Sequence, residues 1–357
     1  MKVEQFDKFD FFTGVPDSLL QPLTDWIYLS KNHIVAANEG NAVALAAGYN
    51  LATGKIPVVY LQNSGLGNII NPIVSLLAPA VYGIPILFVI GWRGEPGIKD
   101  EPQHMFQGQT TIATLESIQM THHLIDKSTT PNDFENALKK FEQKFANGMS
   151  CCFLVKKGAF EYAEKPTYKN NYTINREHAI KKIINQNPGS IFVATTGKIS
   201  RELYENRISH EKDFLVVGSM GHASSIALGI AHNTDKHVII LDGDGAALMH
   251  MGAMATIGTS GLKNITHIIL NNAAHESVGG LPTVANKIDF TAIAKACGYK
   301  HTGTITNAED ITEKLKCTKD TPGPNFFEIK VAIGSRDNLI RPKETPQENK
   351  KTFMDDL

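Results

Sequence analysis

An apolar run, His237-Val-Ile-Ile-Leu241, stops in Asp242-Gly-Asp-Gly245, and a second, Ile268-Ile-Leu270, stops in Asn271-Asn272. Short β-branched runs closed by turn residues, with alanine-rich sequence between them, read as neighbouring parallel strands joined by a helical crossover. Both strands then end at the same edge of one sheet. Asp244 and the Asn272 side chain would present oxygens there, the hard ligands that Mg²⁺ accepts alongside phosphate oxygens and water, and Gly245 lets the backbone approach a bound anion closely. Asp242 lacks a preceding glycine and should point to the other face of its strand. Either half alone is ordinary, since Gly-Asp-Gly is a common turn and Asn-Asn a common loop. It is the pairing of strand ends at this spacing that makes a signature.

The rest of the chain repeats the same alternation of short apolar runs with alanine- and leucine-rich segments, which predicts βα units on parallel sheets. In the first half, strands are expected near 33–37, 56–62, 84–91 and 150–156, and helices near 17–30, 39–53, 66–81, 109–117 and 131–147. The polar stretch 157–175, with Pro166 and Asn170-Asn171, breaks the pattern. A helix at 176–187 restarts it, followed by strands near 190–196, 214–219, 237–242, 264–271 and 325–331. The expected fold is α/β, two doubly wound parallel-sheet domains: 1–165, a linker at 166–175, and 176–357. No sequence repeat relates them. The residues after about Ile333 are polar and read as a mobile tail or a lid.

Composition narrows the partner. With 357 residues, 42% of them hydrophobic, each half can bury its own core, and a net charge of −1 from 35 basic and 36 acidic residues offers no electrostatic case for nucleic acid or a membrane surface. A small molecule is expected. The first ten residues have no apolar core of signal-peptide length and no stretch has the length of a membrane span, so a cytoplasmic location is expected. Cys151, Cys152, Cys297 and Cys317 form no Cys-x-x-Cys pair. Adjacent Cys151 and Cys152 on a strand would face opposite ways, and buried thiols are expected rather than a disulfide or zinc site.

Three further places carry candidate chemistry. In Ala37-Asn-Glu39, at the end of a strand, Asn38 can cap a helix whose first turn holds Glu39, either a solvated helix-start carboxylate or a functional one. In Leu215-Val-Val-Gly-Ser-Met-Gly-His222 a strand runs into a glycine-flanked turn before an alanine-rich helix, whose amides could face an anion; Met220 is there either a core gap-filler or a working residue. The excursion 92–108 leaves the carboxyl end of an apolar strand, where open α/β sheets bind ligands, and carries Arg93, Lys99 and His104. Arg93 suits a tetrahedral anion, and Asp17 and Ser18, after Pro16 at a helix start, are a second place to meet one. The alternative for this excursion is a charged surface loop.

Gly243-Asp-Gly245 with Asn271-Asn272 resembles the diphosphate and metal motif of thiamine diphosphate enzymes. Thr13-Gly-Val-Pro-Asp-Ser-Leu-Leu20, Gln62-Asn-Ser-Gly-Leu-Gly-Asn68, the run from Gly91 to Gly108 and Met249–Gly258 together resemble the phosphonopyruvate decarboxylase family, with the sulfopyruvate decarboxylases as a sister family. The resemblance implies thiamine diphosphate and Mg²⁺, and domains of thiamine diphosphate-binding type. The short 157–175 connection leaves no room for the central third domain of many such decarboxylases. It implies metal binding by Asp244, Asn272 and the Ala274 carbonyl, and a diphosphate lying along Gly221, His222, Gly243 and Gly245. Gly218 would accept from the 4′-amino group and Met220 would bend the coenzyme. Glu39 would sit against the aminopyrimidine N1′. The substrate would be a 2-oxo acid with an anionic tail, 3-phosphonopyruvate, bound by Arg93, Lys99 and Ser18, with Asp17 and His104 as proton carriers. A homodimer or larger homo-oligomer with active sites between subunits is also implied. A nucleotide-binding oxidoreductase is the rival class, resting on Ser64-Gly-Leu-Gly-Asn68, but position 70 is Ile where a dinucleotide fingerprint needs Gly. A non-catalytic binding module is conceivable too, though it has no need of a buried Glu39 beside a metal pair.

Overall fold

Every pairing between strands is parallel in the computed structural model of the chain, which describes residues 1–316 and 321–357. Cys317 lies outside the described residues. The chain divides into two compact units: Met1–Thr167 with Val278–Leu281, and Tyr168–Ser277 with Pro282–Leu357. Nothing in the local sequence announces that the short 278–281 segment belongs with the first unit.

In the N-terminal unit β1 (Phe11–Gly14), β2 (Asn32–Val35), β3 (Val58–Gln62), β4 (Leu87–Gly91), β5 (Thr121–Ile125) and β6 (Cys151–Val155) form one sheet in the order β2-β1-β3-β4-β6-β5. Around it run α1 (Gln21–Ser30), α2 (Glu39–Thr53), α3 (Leu66–Pro72), α4 (Pro102–Ser117) and α5 (Pro131–Phe145). A parallel sheet covered on both faces needs apolar residues on both sides of its central strands, and β3, β4 and β6 are accordingly buried almost throughout. One face packs under Phe6, Phe12, Phe134 and Phe153, the other under Ala42, Ala46, Ile69 and Phe88. Cys151 belongs to the first core and Cys152 to the second, both as buried free thiols.

The C-terminal unit contains α6 (Arg176–Gln186), β7 (Ile191–Ala194), α7 (Lys198–Asn206), β8 (Asp213–Leu215), α8 (Ala223–Ala231), β9 (Val238–Gly243), α9 (Asp244–Met249), α10 (Gly252–Thr259), β10 (Ile265–Asn271), α11 (Phe290–Cys297), β11 (His301–Ile305), α12 (Asp310–Lys316), β12 (Asn325–Lys330) and α13 (Pro346–Asp356). Its sheet order, β8-β7-β9-β10-β12-β11, repeats that of the first unit strand for strand. The chain order reverses beside the first strand of each sheet. Loops after β1 and β3 therefore flank a crevice in one unit, and loops after β7 and β9 flank one in the other, the places where doubly wound sheets bind ligands.

Several expectations need correction. The strands β1, β5 and β11 lie outside the expected ones, because Phe11–Gly14 is too short for a period and β5 and β11 are edge strands with three of five residues polar. The helix expected over 66–81 gives way after Pro72 to a π-helical turn, Ile73–Leu77. The 92–108 excursion is loop only as far as Glu101; Pro102 starts α4, so His104 stands in a helix. The C-terminal segment is anchored. A Thr345–Glu348 capping box opens α13, Asn349 bonds to both Asp213 and Leu215 of β8, and Phe353 is buried against Phe214. This helix covers a sheet edge that would otherwise lie bare. Among the described residues no helix is long and apolar enough to cross a membrane.

Candidate active site

Glu39 is the first residue of α2, capped by the Asn38 side chain, which accepts from the Asn41 N–H at 2.9 Å. Its side chain is buried, and its Oε2 accepts from Asn68 Nδ2 at 2.7 Å. Gly65 makes room for it: a Cβ at that position would stand 2.5 Å from Glu39 Oε1. The carboxylate is thus oriented by one amide and closely fitted, unlike an ordinary solvated helix start.

Asp17 lies after β1 and is fully buried. It accepts from Gln62 Nε2 at 2.6 Å and from the Leu19 N–H at 3.2 Å. Burial raises its carboxyl above the ordinary range, more than the Gln62 amide, the Arg93 charge and the backbone N–H groups lower it. Only glycine fits opposite, since a Cβ at Gly91 would fall 2.0 Å from Asp17 Oδ2. Arg93 stands nearby, its Nη1 donating to Ser18 Oγ at 2.9 Å. The guanidinium is already paired with Asp100, through Nε at 2.7 Å and through Nη2. Asp100 accepts as well from the Gly94 and Glu101 N–H groups at 2.9 and 2.8 Å. Burial works to raise the Asp100 carboxyl, but these donors outweigh it and hold it well below the usual carboxylate range. His104 Nδ1 is buried without a hydrogen bond, and burial followed by the Arg93 charge keeps the ring below the ordinary histidine value, hence neutral at pH 7. Lys99 is exposed and has no hydrogen bond or ion pair among the described residues, so the structure does not bring it into this cluster.

In the C-terminal unit Asp244 begins α9 at the end of β9, almost fully buried. Thr283 Oγ1 donates to its Oδ2 at 2.5 Å. Burial pushes the carboxyl up to about 6, with the Thr283 hydroxyl and backbone N–H groups acting the other way. Asp242 turns into the core instead, bonded to the Gly243 N–H at 3.0 Å and set 3.3 Å from His267 Nε2. The Met220 Cε would be 3.4 Å from a Cβ at Gly245, and the His275 ring 3.0 Å, so these side chains close around that glycine. Burial keeps His275 neutral, pushing it down to about 4. His222 is exposed and packs on His250 with ring centroids 4.2 Å apart.

The backbone is strained at two of these turns. Ser219, beside Gly218 and Met220, has φ 52°, and Ala273, between Asn272 and Ala274, has φ 56°. Such values for non-glycine residues cost about 1–3 kcal/mol and persist only where surrounding bonds impose them. Around Ala273 those bonds are evident: its N–H donates to Asn271 Oδ1 at 2.8 Å, its carbonyl accepts from the Thr283 N–H at 3.0 Å, and Asn271 Nδ2 donates to Glu328 at 2.6 Å.

Among the described residues no group of three or more His, Cys, Asp or Glu side chains could hold a metal ion. The expected ligands, the Asp244 carboxylate, the Asn272 amide oxygen and the Ala274 carbonyl, would be a different donor set, all oxygen and with one negative charge. That chemistry fits Mg²⁺ completed by phosphate and water, and excludes a zinc-type site. Sequence reasoning missed the residues that hold these groups: Asn68, Gln62, Asp100, Thr283 and Glu276. Asn68 and Gln62 lie in a segment singled out for its likeness, yet nothing local says which side chain they meet.

Residues 196–329 match the family described as thiamine pyrophosphate enzyme, C-terminal TPP binding domain, and residues 5–115 its N-terminal TPP binding domain. The chain belongs to the thiamine diphosphate-dependent decarboxylases, and is a carboxy-lyase. It is 35% identical to phosphonopyruvate decarboxylase of Streptomyces viridochromogenes over 95% of this chain and 89% of that one. The Streptomyces hygroscopicus phosphonopyruvate decarboxylase is 34% identical over 96% and 89%. Sulfopyruvate decarboxylase of Methanosarcina acetivorans is 30% identical over 98% and 94%. The expected fold and coenzyme class are borne out, with two six-stranded parallel sheets and no third domain evident among the described residues.

Proposed function

We propose that the chain decarboxylates 3-phosphonopyruvate to phosphonoacetaldehyde and CO₂, using thiamine diphosphate and Mg²⁺, as a step in phosphonate biosynthesis. The observation that carries the substrate reading is the state of Arg93. A guanidinium has five N–H donors. Asp100 takes those on Nε and Nη2, and Ser18 takes one on Nη1, which leaves two for a ligand. One is left on each terminal nitrogen, and such paired donors suit the oxygens of a tetrahedral anionic tail, phosphonate or sulfonate. Ser18 belongs to the same grip; Lys99, exposed and outside the cluster, is left out of it.

Asp17 and His104 are the proton carriers in this reading. Asp17 retains its proton to higher pH than a solvated carboxyl, and neutral His104 has an unbonded Nδ1 to receive or pass one. For the coenzyme, Glu39 would share a proton with the aminopyrimidine N1′ while Asn68 holds its other oxygen. The Gly218 carbonyl would accept from the 4′-amino group, Met220 would support the bent coenzyme, and Gly221, His222, Gly243 and Gly245 would line the diphosphate. Asp244, Asn272 and Ala274 would hold Mg²⁺. When bound, thiamine diphosphate supplies the electron sink that makes carboxyl loss possible. The working form is a homodimer or larger homo-oligomer with active sites between subunits.

The test is CO₂ release by the purified protein, loaded with thiamine diphosphate and Mg²⁺, from phosphonopyruvate and sulfopyruvate assayed side by side. A higher kcat/KM for phosphonopyruvate is expected. The reverse order would overturn the substrate reading in favour of sulfopyruvate, and no release from either would remove both.

A further inference from the structure

The Asn272 amide is fixed at both ends. Its Nδ2 donates to Glu276 Oε2 at 2.7 Å and its Oδ1 accepts from the Ala274 N–H at 3.1 Å. A carboxylate can only accept and an N–H can only donate, so the two partners together determine which way the amide faces. Glu276 is itself held. Its Oε2 also receives Arg176 Nη1 at 2.6 Å, and its Oε1 receives Lys198 Nζ at 2.8 Å. Arg176 is almost fully buried and is gripped on its other side by Glu202, through Nε and Nη2 at 2.8 Å each. Were Glu276 to turn away, a buried guanidinium N–H would lose its partner, which is costly for a desolvated charge.

We propose that Glu276, braced by Arg176 and Lys198, is a positioning residue that presents the Asn272 oxygen to the divalent cation. The inference rests on the reading of Asp244 and Asn272 as metal ligands. One lone pair of Asn272 Oδ1 is engaged by Ala274, and the other is left for the ion. Outer partners of this kind orient a ligand, and their loss lowers metal affinity by about 10- to 100-fold.

The test is Mn²⁺ binding to the full-length protein with thiamine diphosphate present, read from the electron paramagnetic resonance signal of free Mn²⁺. The unfolding midpoint of the metal-free protein is followed in parallel. Glu276→Ala should weaken Mn²⁺ binding by about 10- to 100-fold. Glu276→Gln, which keeps an acceptor for Asn272 Nδ2, should recover most of that loss. Lys198→Met, at a side chain one third exposed, should weaken binding by a smaller factor. A purely structural brace would lower the midpoint and leave the affinity of folded protein unchanged; wild-type Mn²⁺ affinity in folded Glu276→Ala overturns the proposal. Should that variant not fold, unchanged affinity in Lys198→Met does the same. Asp244→Ala separates the two levels. If it binds Mn²⁺ normally, the metal-site reading itself falls; if it loses Mn²⁺ while Glu276→Ala keeps it, only the positioning role falls.

Discussion

Asp17 is a carboxylate with no exposure, and its electrostatics set a direction for stability as well as for catalysis. Unfolding returns it to its ordinary value of 3.8, whereas the folded chain holds the proton to higher pH because burial penalises the charge. Its contribution to stability is therefore intact below 3.8 and is lost as pH rises through the folded value. Asp17→Asn should remove that decline, leaving the variant more stable than the parent at neutral pH in urea unfolding, while its turnover drops by about 100-fold if Asp17 carries the proton. A variant with the parent's pH dependence would show that Asp17 titrates normally. At this scale the sequence was informative about chemistry and silent about support. Glu39, Asp244 and Asn272 stand out because each follows a strand end, a local signal. Their partners Asn68 and Thr283 do not, since a hydrogen bond across 29 or 39 positions leaves no trace in either neighbourhood; Glu276 stands only four positions from Asn272, but its orientation depends on Arg176, 100 positions away.

Among the elements, the turn into α3 illustrates how backbone geometry serves a side chain elsewhere. Gly65 has φ −82°, which any residue adopts, so glycine is there for space alone. Gly65→Ala should leave the thermal midpoint nearly unchanged but push Glu39 from its place. Misplacement on the order of 1 Å costs about 100-fold in rate, to be read as kcat with coenzyme saturating. Unaltered kcat would mean Glu39 tolerates displacement and is not the proton-sharing carboxylate. Periodic, capped elements such as α2 and α5 were legible, their caps Asn38 and Thr130 being local. By contrast α13 was not. Its one buried apolar residue, Phe353, makes no stripe, and only the bare edge of β8 gives that helix a reason to dock.

For the whole molecule, the proposed reading assigns the pyrimidine carboxylate and the metal ligands to different units and the active sites to subunit pairs. Mixing inactive Glu39→Gln with inactive Asp244→Ala, under conditions of subunit exchange, should then restore activity. With random pairing in a dimer, half the pairs are hybrids with one intact site of two, or about a quarter of parental activity. Mixtures that stay inactive after demonstrated exchange would place each site within one chain. The identical strand order of the two sheets belongs to this scale as well. No sequence repeat discloses it, because sheet order is a property of long-range pairing, and dissimilar apolar runs satisfy the same parallel register.

The sequence by itself determined the alternation of strand and helix, the oxygen-bearing side chains at two strand ends, and through that signature the coenzyme class, since each depends on residues adjacent in the chain. Tertiary structure decided how those groups are held: Asp100 setting Arg93 side-on, Asn68 orienting Glu39, and Glu276 turning the Asn272 amide. Gly243-Asp-Gly245 and Asn271-Asn272 supply the oxygens that the proposed metal site uses. Whether a ligand oxygen faces the right way depends on donors and acceptors that only folding brings within about 3 Å.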